Sequence, residues 1–117
     1  MLPSGDGGAK ILIEFLYFDD CPFYQKAEEL LENVLQGAGV EARIVKKNIV
    51  DNETAQVEEF IGSPSIRVNG EDIDPAARTS TAYNRMCRVY WVTGGFLGWP
   101  TREMIEKAVL RAADQER

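Results

Sequence analysis

The segment EFLYFDDCPFYQ, residues 14–25, decides the fold of this 117-residue chain, because it marks the predicted passage from a buried strand to a helix. Residues 10–18 form a nearly continuous run of apolar, β-branched and aromatic side chains, which is typical of a strand covered on both faces. Pro22 suits the first turn of a helix, where its missing N–H costs no hydrogen bond. The sequence therefore predicts that Cys21 lies where the first strand gives way to the first helix.

The position of Cys21 favours a reactive thiol without requiring one. A helix N-terminus presents unpaired N–H groups and a partial positive charge, and both stabilise a thiolate. The carboxylates of Asp19 and Asp20 act in the opposite direction, because neighbouring negative charges disfavour a further one. The alternative is an inert buried cysteine, which is common among free thiols.

Hydrophobic patterns predict the element order β-α-β-α-β-β-α in a single α/β domain over residues 10–114. The βαβ start predicts parallel pairing of the first two strands, and we expect a central mixed sheet with helices on both faces. The fourth strand is expected to return after the Asn69-Gly70 turn, with an insertion before or within it and residues 87–93 as strand sequence. The other predicted elements are a helix that begins near Pro22 and ends at Gly37 and Gly39, a strand over residues 40–50, a helix over residues 52–60 capped by Asp51, a strand over residues 66–68 and a helix after Thr101.

Composition excludes several classes of function. The chain has 13 Lys and Arg against 19 Asp and Glu, a net charge of −6, which argues against nucleic acid as a partner. No apolar run reaches the roughly 20 residues of a membrane span, so no membrane partner is expected. The absence of histidine removes Ser-His-Asp and Cys-His catalysis and His-ligated zinc. The two cysteines, Cys21 and Cys87, are too few for a four-thiolate zinc or iron–sulfur site, and we expect no cofactor.

The first residues of the sequence bear on its location. Residues 1–9 are polar and Gly-rich and lack the basic and apolar regions of a signal peptide, so they are expected to form a flexible tail. This predicts a cytoplasmic protein, whose thiols stay reduced by default.

The element order, the CPFY motif at residues 21–24 and the Ser63-Pro64 pair together resemble the thioredoxin superfamily. The resemblance implies a thioredoxin-like fold in which a cis Ser63–Pro64 bond faces the cysteine. It also implies a substrate-binding surface formed by Pro22, Ser63 and Pro64, since the backbone before such a proline pairs with an extended peptide or thiol ligand. Tyr24 occupies the position of the family's second cysteine, so a disulfide within the C-x-x-C motif cannot form.

Residues 86–91, MCRVYW, are similar to the second-cysteine segment of alkylmercury (organomercurial) lyases, which contain a thioredoxin-like core. The resemblance covers residues 10–112 and implies that Cys21 and Cys87 act together, in catalysis or as ligands of a soft metal ion such as Hg(II) or Cu(I). In the lyases an aspartate three residues after the first cysteine helps to deliver a proton, and that position is Tyr24 here. As a catalytic residue Tyr24 would donate a hydrogen bond to a sulfur or a ligand; the alternative is that its ring packs on the sheet.

Three functions remain open at this point. The first is thiol/disulfide redox chemistry on a protein or small-molecule thiol or disulfide, in which Cys21 attacks or is oxidised and Cys87 or glutathione resolves it. The second is binding of mercury, an organomercurial or another soft metal ion by the same two cysteines. The third is a non-catalytic thioredoxin-fold binding module.

Several side chains around these motifs also carry expectations. Arg67 and Arg88 are predicted to be solvated strand residues, with stabilisation of an anion near the site as the alternative for either. Trp91 is predicted to belong to the core. Phe96 and Trp99 lie among glycines and are expected to form an apolar rim near the thiol.

Overall fold

The computed structural model describes residues 10–115, which form an α/β fold with a mixed four-stranded sheet and three α-helices. The tail predicted over residues 1–9 lies outside the described residues. In the described part of the chain, no helix is long and apolar enough to cross a membrane. The elements in chain order are β1 (Leu12–Tyr17), α1 (Tyr24–Ala38), β2 (Arg43–Asn48), α2 (Asn52–Val57), β3 (Ser65–Val68), β4 (Glu71–Asp72), a 3-10 turn (Pro75–Ala77), β5 (Tyr90–Val92), β6 (Gly95–Leu97) and α3 (Arg102–Gln115).

The main sheet has the strand order β2-β1-β3-β4. β1 and β2 run parallel, while β3 runs antiparallel to β1 and to β4. Asn69 and Gly70 join β3 to β4 with φ angles of 51° and 86°, the left-handed conformation that a tight hairpin turn requires. The predicted mixed sheet and the predicted turn are both confirmed.

Side chains of β1 point alternately to the two faces of the sheet. Ile13 and Phe15 are buried in the larger hydrophobic cluster with apolar side chains of α1 and α3. Leu16 is buried in a second cluster with Ala55 of α2. Helices therefore cover both faces, as predicted, and β1 lies centrally because both of its faces carry apolar side chains.

Three predicted signals for helix ends act as expected, but two do not, because α1 begins at Tyr24 rather than at Pro22 and continues through Gly37. Gly39 ends α1 in the left-handed conformation, with a φ of 63°. The Asp51 carboxylate accepts a hydrogen bond from the Thr54 N–H at 2.7 Å, which caps α2. The Thr101 hydroxyl accepts from the Met104 N–H at 3.1 Å at the start of α3.

The fourth strand differs from the prediction. β4 has only two residues, and residues 87–93 do not join the main sheet. Part of that segment, β5, instead pairs with β6 in a separate two-stranded ribbon. Gly94, with a φ of 89°, permits the tight turn between them, so the strand sequence finds its partner locally. Trp91, predicted to be a core residue, lies on this ribbon and is 69 % exposed.

Candidate thiol site

The structure brings the two cysteines together. Cys21 follows β1 and is only 4 % exposed, and its N–H donates to the carbonyl of Phe18 at 3.0 Å. Cys87 is exposed, and its thiol is near enough to Cys21 for the two side chains to interact. Both thiols are free. The pair thus combines one sulfur that solvent reaches with one that the protein shields.

The electrostatics of the pair affect Cys87. Although Cys87 is exposed as a residue, the surrounding protein removes part of the hydration of its thiol, which raises the pKa of that thiol, and the charge and hydrogen bond of Cys21 raise it further. This direction is expected for two thiols in contact, because ionising both would place two negative charges side by side. The thiol form is therefore favoured at neutral pH, and the reactivity of Cys87 should increase as the pH rises.

The Ser63–Pro64 bond is cis, as predicted, and Ser63 forms a parallel β-bridge with Cys87. The Ser63 N–H donates to the Met86 carbonyl at 2.8 Å, and the Ser63 carbonyl accepts from the Arg88 N–H at 3.2 Å. Both main-chain groups that were expected to bind substrate are therefore hydrogen-bonded within the chain. The Ser63 hydroxyl also accepts from the Phe18 N–H at 3.4 Å, which connects this loop to the turn before Cys21.

Pro22, Pro64 and Tyr24 were also predicted to belong to the site, and each lies within three residues of Cys21 or Ser63 in the sequence. Pro22 is exposed, and Pro64 is buried. The Tyr24 ring stacks on Tyr17 with a centroid distance of 4.5 Å, and the Lys46 ammonium lies 5.7 Å from its centroid. This is the packing alternative given above, while a catalytic hydrogen bond from Tyr24 stays a prediction.

Arg88 was predicted to be a solvated strand residue, and this is wrong. The residue is 8 % exposed, and its guanidinium forms a two-pronged ion pair with the carboxylate of Asp72. The prediction fails because side chains alternate along an extended segment, so Arg88 points inward on the side opposite to Cys87. Arg67 does lie in a strand, β3, but it is half-buried rather than fully solvated and donates to the carbonyls of Glu58 and Glu59.

Exposed apolar side chains continue from Cys87 along the ribbon. Val89 and Trp91 are exposed, whereas the intervening Tyr90 is fully buried. Phe96 lies opposite Trp91 in the β5–β6 register, and their rings meet edge to face at 5.4 Å. We call Val89, Trp91 and Phe96 the apolar stripe.

The predicted apolar rim is divided between two places. Trp99 does not pack with Phe96 but with Phe23, at a centroid distance of 5.3 Å. Gly98 is required beside that pair, because a Cβ atom there would lie 2.3 Å from the Phe23 ring. Phe96 instead belongs to the apolar stripe.

Two further features limit what the site can bind. Within residues 10–115 no group of three or more His, Cys, Asp or Glu side chains could hold a metal ion. The two thiols alone would suit only a soft ion of low coordination number. A cavity of about 250 Å³ is lined by Arg67, Arg78 and Tyr83 among others, but by neither cysteine.

Comparison with known proteins assigns no family to the chain. No protein-family model matches it, and no curated protein matches it.

Proposed function

We propose that this chain is a thioredoxin-like thiol–disulfide oxidoreductase that works through Cys87 and Cys21 in a reducing compartment such as the cytoplasm. One observation carries the proposal: an exposed free thiol, on a residue that is bridged to Ser63, is near enough to a buried free thiol for the two to interact. Two such thiols cycle between the dithiol and the disulfide by exchange with an external thiol or disulfide.

The reaction has two balanced steps. The Cys87 thiolate attacks one sulfur of a substrate disulfide, which forms a mixed disulfide and releases the other substrate sulfur as a thiolate. The Cys21 thiolate then attacks the Cys87 sulfur, which forms the Cys21–Cys87 disulfide and releases the second substrate thiolate. Two electrons pass from the protein to the substrate, and the two thiol protons go to the released thiolates.

This order of attack reverses the sequence-based expectation, which gave Cys21 the first step. A substrate disulfide must reach the attacking sulfur, and Cys87 is the exposed cysteine. The shielded Cys21 suits the second step, in which the sulfur that it attacks already lies beside it. Because Cys21 itself breaks the mixed disulfide on Cys87, this mechanism needs no second cysteine at position 24, where Tyr24 stands.

The finer fold assignment belongs to the same proposal. A parallel β1–β2 pair joined by α1, an antiparallel β3–β4 hairpin, and helices on both faces support a thioredoxin-like arrangement. A cis Ser63–Pro64 bond directly before β3, bridged to Cys87, supports it further.

Binding of a soft metal ion is the second candidate. It is favoured by the adjacency of two thiols, since thiolate ligands select soft ions such as Hg(II) and Cu(I). The resemblance of residues 86–91 to the second-cysteine segment of alkylmercury lyases supports the same candidate. Tyr24 in place of the proton-delivering aspartate favours binding over cleavage of a carbon–mercury bond.

Equilibration of the reduced protein in glutathione buffers tests the redox proposal. We expect an intramolecular disulfide in the unaltered chain, detected by mass spectrometry after alkylation, and a glutathione adduct on Cys87 in the Cys21→Ser variant. The matched Cys87→Ser variant should form little adduct, because Cys21 is buried. Failure of the unaltered chain to form a Cys21–Cys87 disulfide at any glutathione ratio would overturn the proposal.

Titration with Hg(II) separates the second candidate. A two-thiolate site predicts one ion per chain and a large loss of affinity in both serine variants. Affinity that survives Cys87→Ser unchanged would exclude that site. If the two sulfurs act together in neither disulfide formation nor metal binding, the non-catalytic binding module is the candidate function that remains.

A further inference from the structure

A buried ion pair lies directly beside the thiol pair. Arg88, the residue after Cys87, donates from Nη1 to Asp72 Oδ2 at 2.7 Å and from Nη2 to Asp72 Oδ1 at 2.9 Å. Its Nη1 also donates to the Ser65 hydroxyl at 2.9 Å. Arg88 and Asp72 are each 8 % exposed. The guanidinium is therefore fixed in orientation by β3 and β4 of the main sheet.

The same segment is bound to the Ser63–Pro64 loop at several further points. The carbonyl of Met86 and the N–H of Arg88, on either side of Cys87, are both hydrogen-bonded to Ser63. The Arg88 guanidinium lies 4.2 Å from the centroid of the Tyr90 ring, and the Tyr90 hydroxyl donates to the Pro64 carbonyl at 2.5 Å. Residues 86–90 thus have little freedom to move relative to β3.

We propose that Asp72 and Arg88 are positioning residues for the thiol pair, which hold residues 86–88 against Ser63 so that the Cys87 sulfur faces Cys21. This inference rests on the proposed function. The inward Arg88 side chain sets the direction of its neighbour, because successive side chains of an extended segment point to opposite sides. Cys87 therefore points away from the ion pair.

Stability alone is a weak reason for such an ion pair. Burying two charges removes their hydration, and replacement of a buried ion pair by apolar side chains is often neutral or stabilising. What apolar side chains do not reproduce is the fixed fork geometry between an arginine and a carboxylate. A pair that orients a segment is consistent with the bidentate contact seen here.

The position of residues 86–88 determines the effective concentration of the Cys87 thiol at the Cys21 thiol. Small displacements of reacting groups reduce an intramolecular rate or equilibrium by up to about a hundredfold. If the ion pair is lost while the fold is kept, residues 86–88 gain freedom and the Cys21–Cys87 disulfide becomes less favourable. We expect its effective concentration against glutathione to decrease at least about tenfold.

The decisive variant is the double replacement Asp72→Leu with Arg88→Met, which removes both charges together. Arg88→Met alone leaves a buried carboxylate unpaired and is prone to unfolding, whereas the double variant avoids that penalty. Arg88→Lys keeps the charge but loses the fork, so we expect an effective concentration between those of the unaltered chain and the double variant. Arg67→Met is the control, since it also removes a hydrogen-bonded arginine, one that is half-buried and donates to the carbonyls of Glu58 and Glu59 rather than to Asp72.

Two readouts make the test independent of the redox proposal. The first is the equilibrium between dithiol and disulfide in glutathione buffers, and the second is the affinity for phenylarsine oxide, which bonds to two adjacent thiols with loss of water. We expect both to decrease in the double variant and neither to change in Arg67→Met. A folded double variant, verified by its thermal unfolding, that keeps both values would overturn the positioning role.

The outcomes also separate this inference from the function on which it rests. If the unaltered chain forms no disulfide but binds phenylarsine oxide through both thiols, the redox proposal fails and the arsenical affinity of the double variant still decides the positioning role. If the unaltered chain does not bind the arsenical through both thiols, the two sulfurs are not held together and the positioning role is overturned as well.

Discussion

Cys21 and Cys87 are neighbours in space, but the chain holds them in different ways. Cys21 sits in a local turn between β1 and α1, where its N–H bonds to Phe18 three residues earlier. Cys87 lies outside regular structure and is held by contacts of its flanking residues with Ser63 and Asp72, which are distant in sequence. One half of the site therefore depends on local sequence and the other on tertiary contacts, so the two halves should respond differently to mutation.

The largest expected effect tests the tertiary half. Replacement Asp72→Ala leaves the buried Arg88 cation without its carboxylate, and breaking a buried ion pair from one side typically costs about 3–5 kcal/mol. The free energy of unfolding in urea measures this loss. The control is Glu106→Ala, which removes the exposed Arg102–Glu106 pair and should cost less than about 1 kcal/mol. Equal effects of the two replacements would remove the distinction between these ion pairs.

The next effect concerns the approach of residues 86–88 to the loop before Pro64. A Cβ atom on Gly62 would lie 2.4 Å from the Cβ of Arg88. Gly62 also has a φ of 129°, a backbone conformation that residues other than glycine rarely adopt. We expect Gly62→Ala to lower the free energy of unfolding by about 1–3 kcal/mol through overpacking. It should also make the proposed Cys21–Cys87 disulfide less favourable, because the segment that carries Cys87 is displaced.

Gly95→Ala is the matched control for that replacement, since a Cβ atom there meets nothing within 4 Å. A Gly62→Ala variant as stable as Gly95→Ala, with an unchanged disulfide equilibrium, would contradict the view that close contact at residue 62 holds Cys87.

The same division explains what the sequence could predict. The turn that holds Cys21 follows from local signals, namely an apolar strand before it and a helical stripe after it, and so do the caps at Gly39, Asp51 and Thr101. The partner of Arg88 could not be predicted, because Asp72 is 16 residues away and nothing in an alternating segment identifies it. The pairing of residues 87–93 was mispredicted for a related reason. Their composition indicates a strand but does not determine whether that strand pairs with the main sheet or in a local hairpin.

A smaller effect is expected in the pH dependence of Cys87. Burial and then Cys21 raise the pKa of its thiol, so Cys21→Ser should lower that pKa towards its ordinary value without reaching it, because the burial remains. The rate of Cys87 alkylation by iodoacetamide, followed against pH, should therefore rise at lower pH in the variant. Identical profiles would mean that the two sulfurs do not interact.

The raised pKa of Cys87 also makes the stability of the reduced protein depend on pH. Because the pKa of Cys87 is raised in the folded state, its contribution to stability is present below the pKa of the unfolded thiol and is lost as the pH rises through the folded value. Urea unfolding of the reduced protein, compared between neutral and alkaline pH, should show a smaller loss in Cys21→Ser than in the unaltered chain.

The smallest effect tests the apolar stripe beside the exposed thiol. Trp91 is 69 % exposed and packs on Phe96, so an aromatic disulfide that reaches Cys87 has apolar surface to contact there. We expect Trp91→Ser to lower the rate of Cys87 with neutral 4,4′-dithiodipyridine by roughly two- to fivefold, which corresponds to about 0.5–1 kcal/mol of lost apolar contact. The rate with oxidised glutathione, which is anionic and offers little apolar surface, should change less.

Val57→Ser is the control for the loss of an exposed apolar side chain, because Val57 is 79 % exposed and lies at the end of α2. It should alter neither rate. Equal slowing of both disulfides by Trp91→Ser would point to a displaced Cys87 rather than to a lost contact, and the ribbon would then belong with the tertiary contacts that hold the segment. Slowing confined to the aromatic disulfide would instead assign the stripe to substrate contact and leave the positioning of Cys87 to Ser63, Asp72 and Arg88.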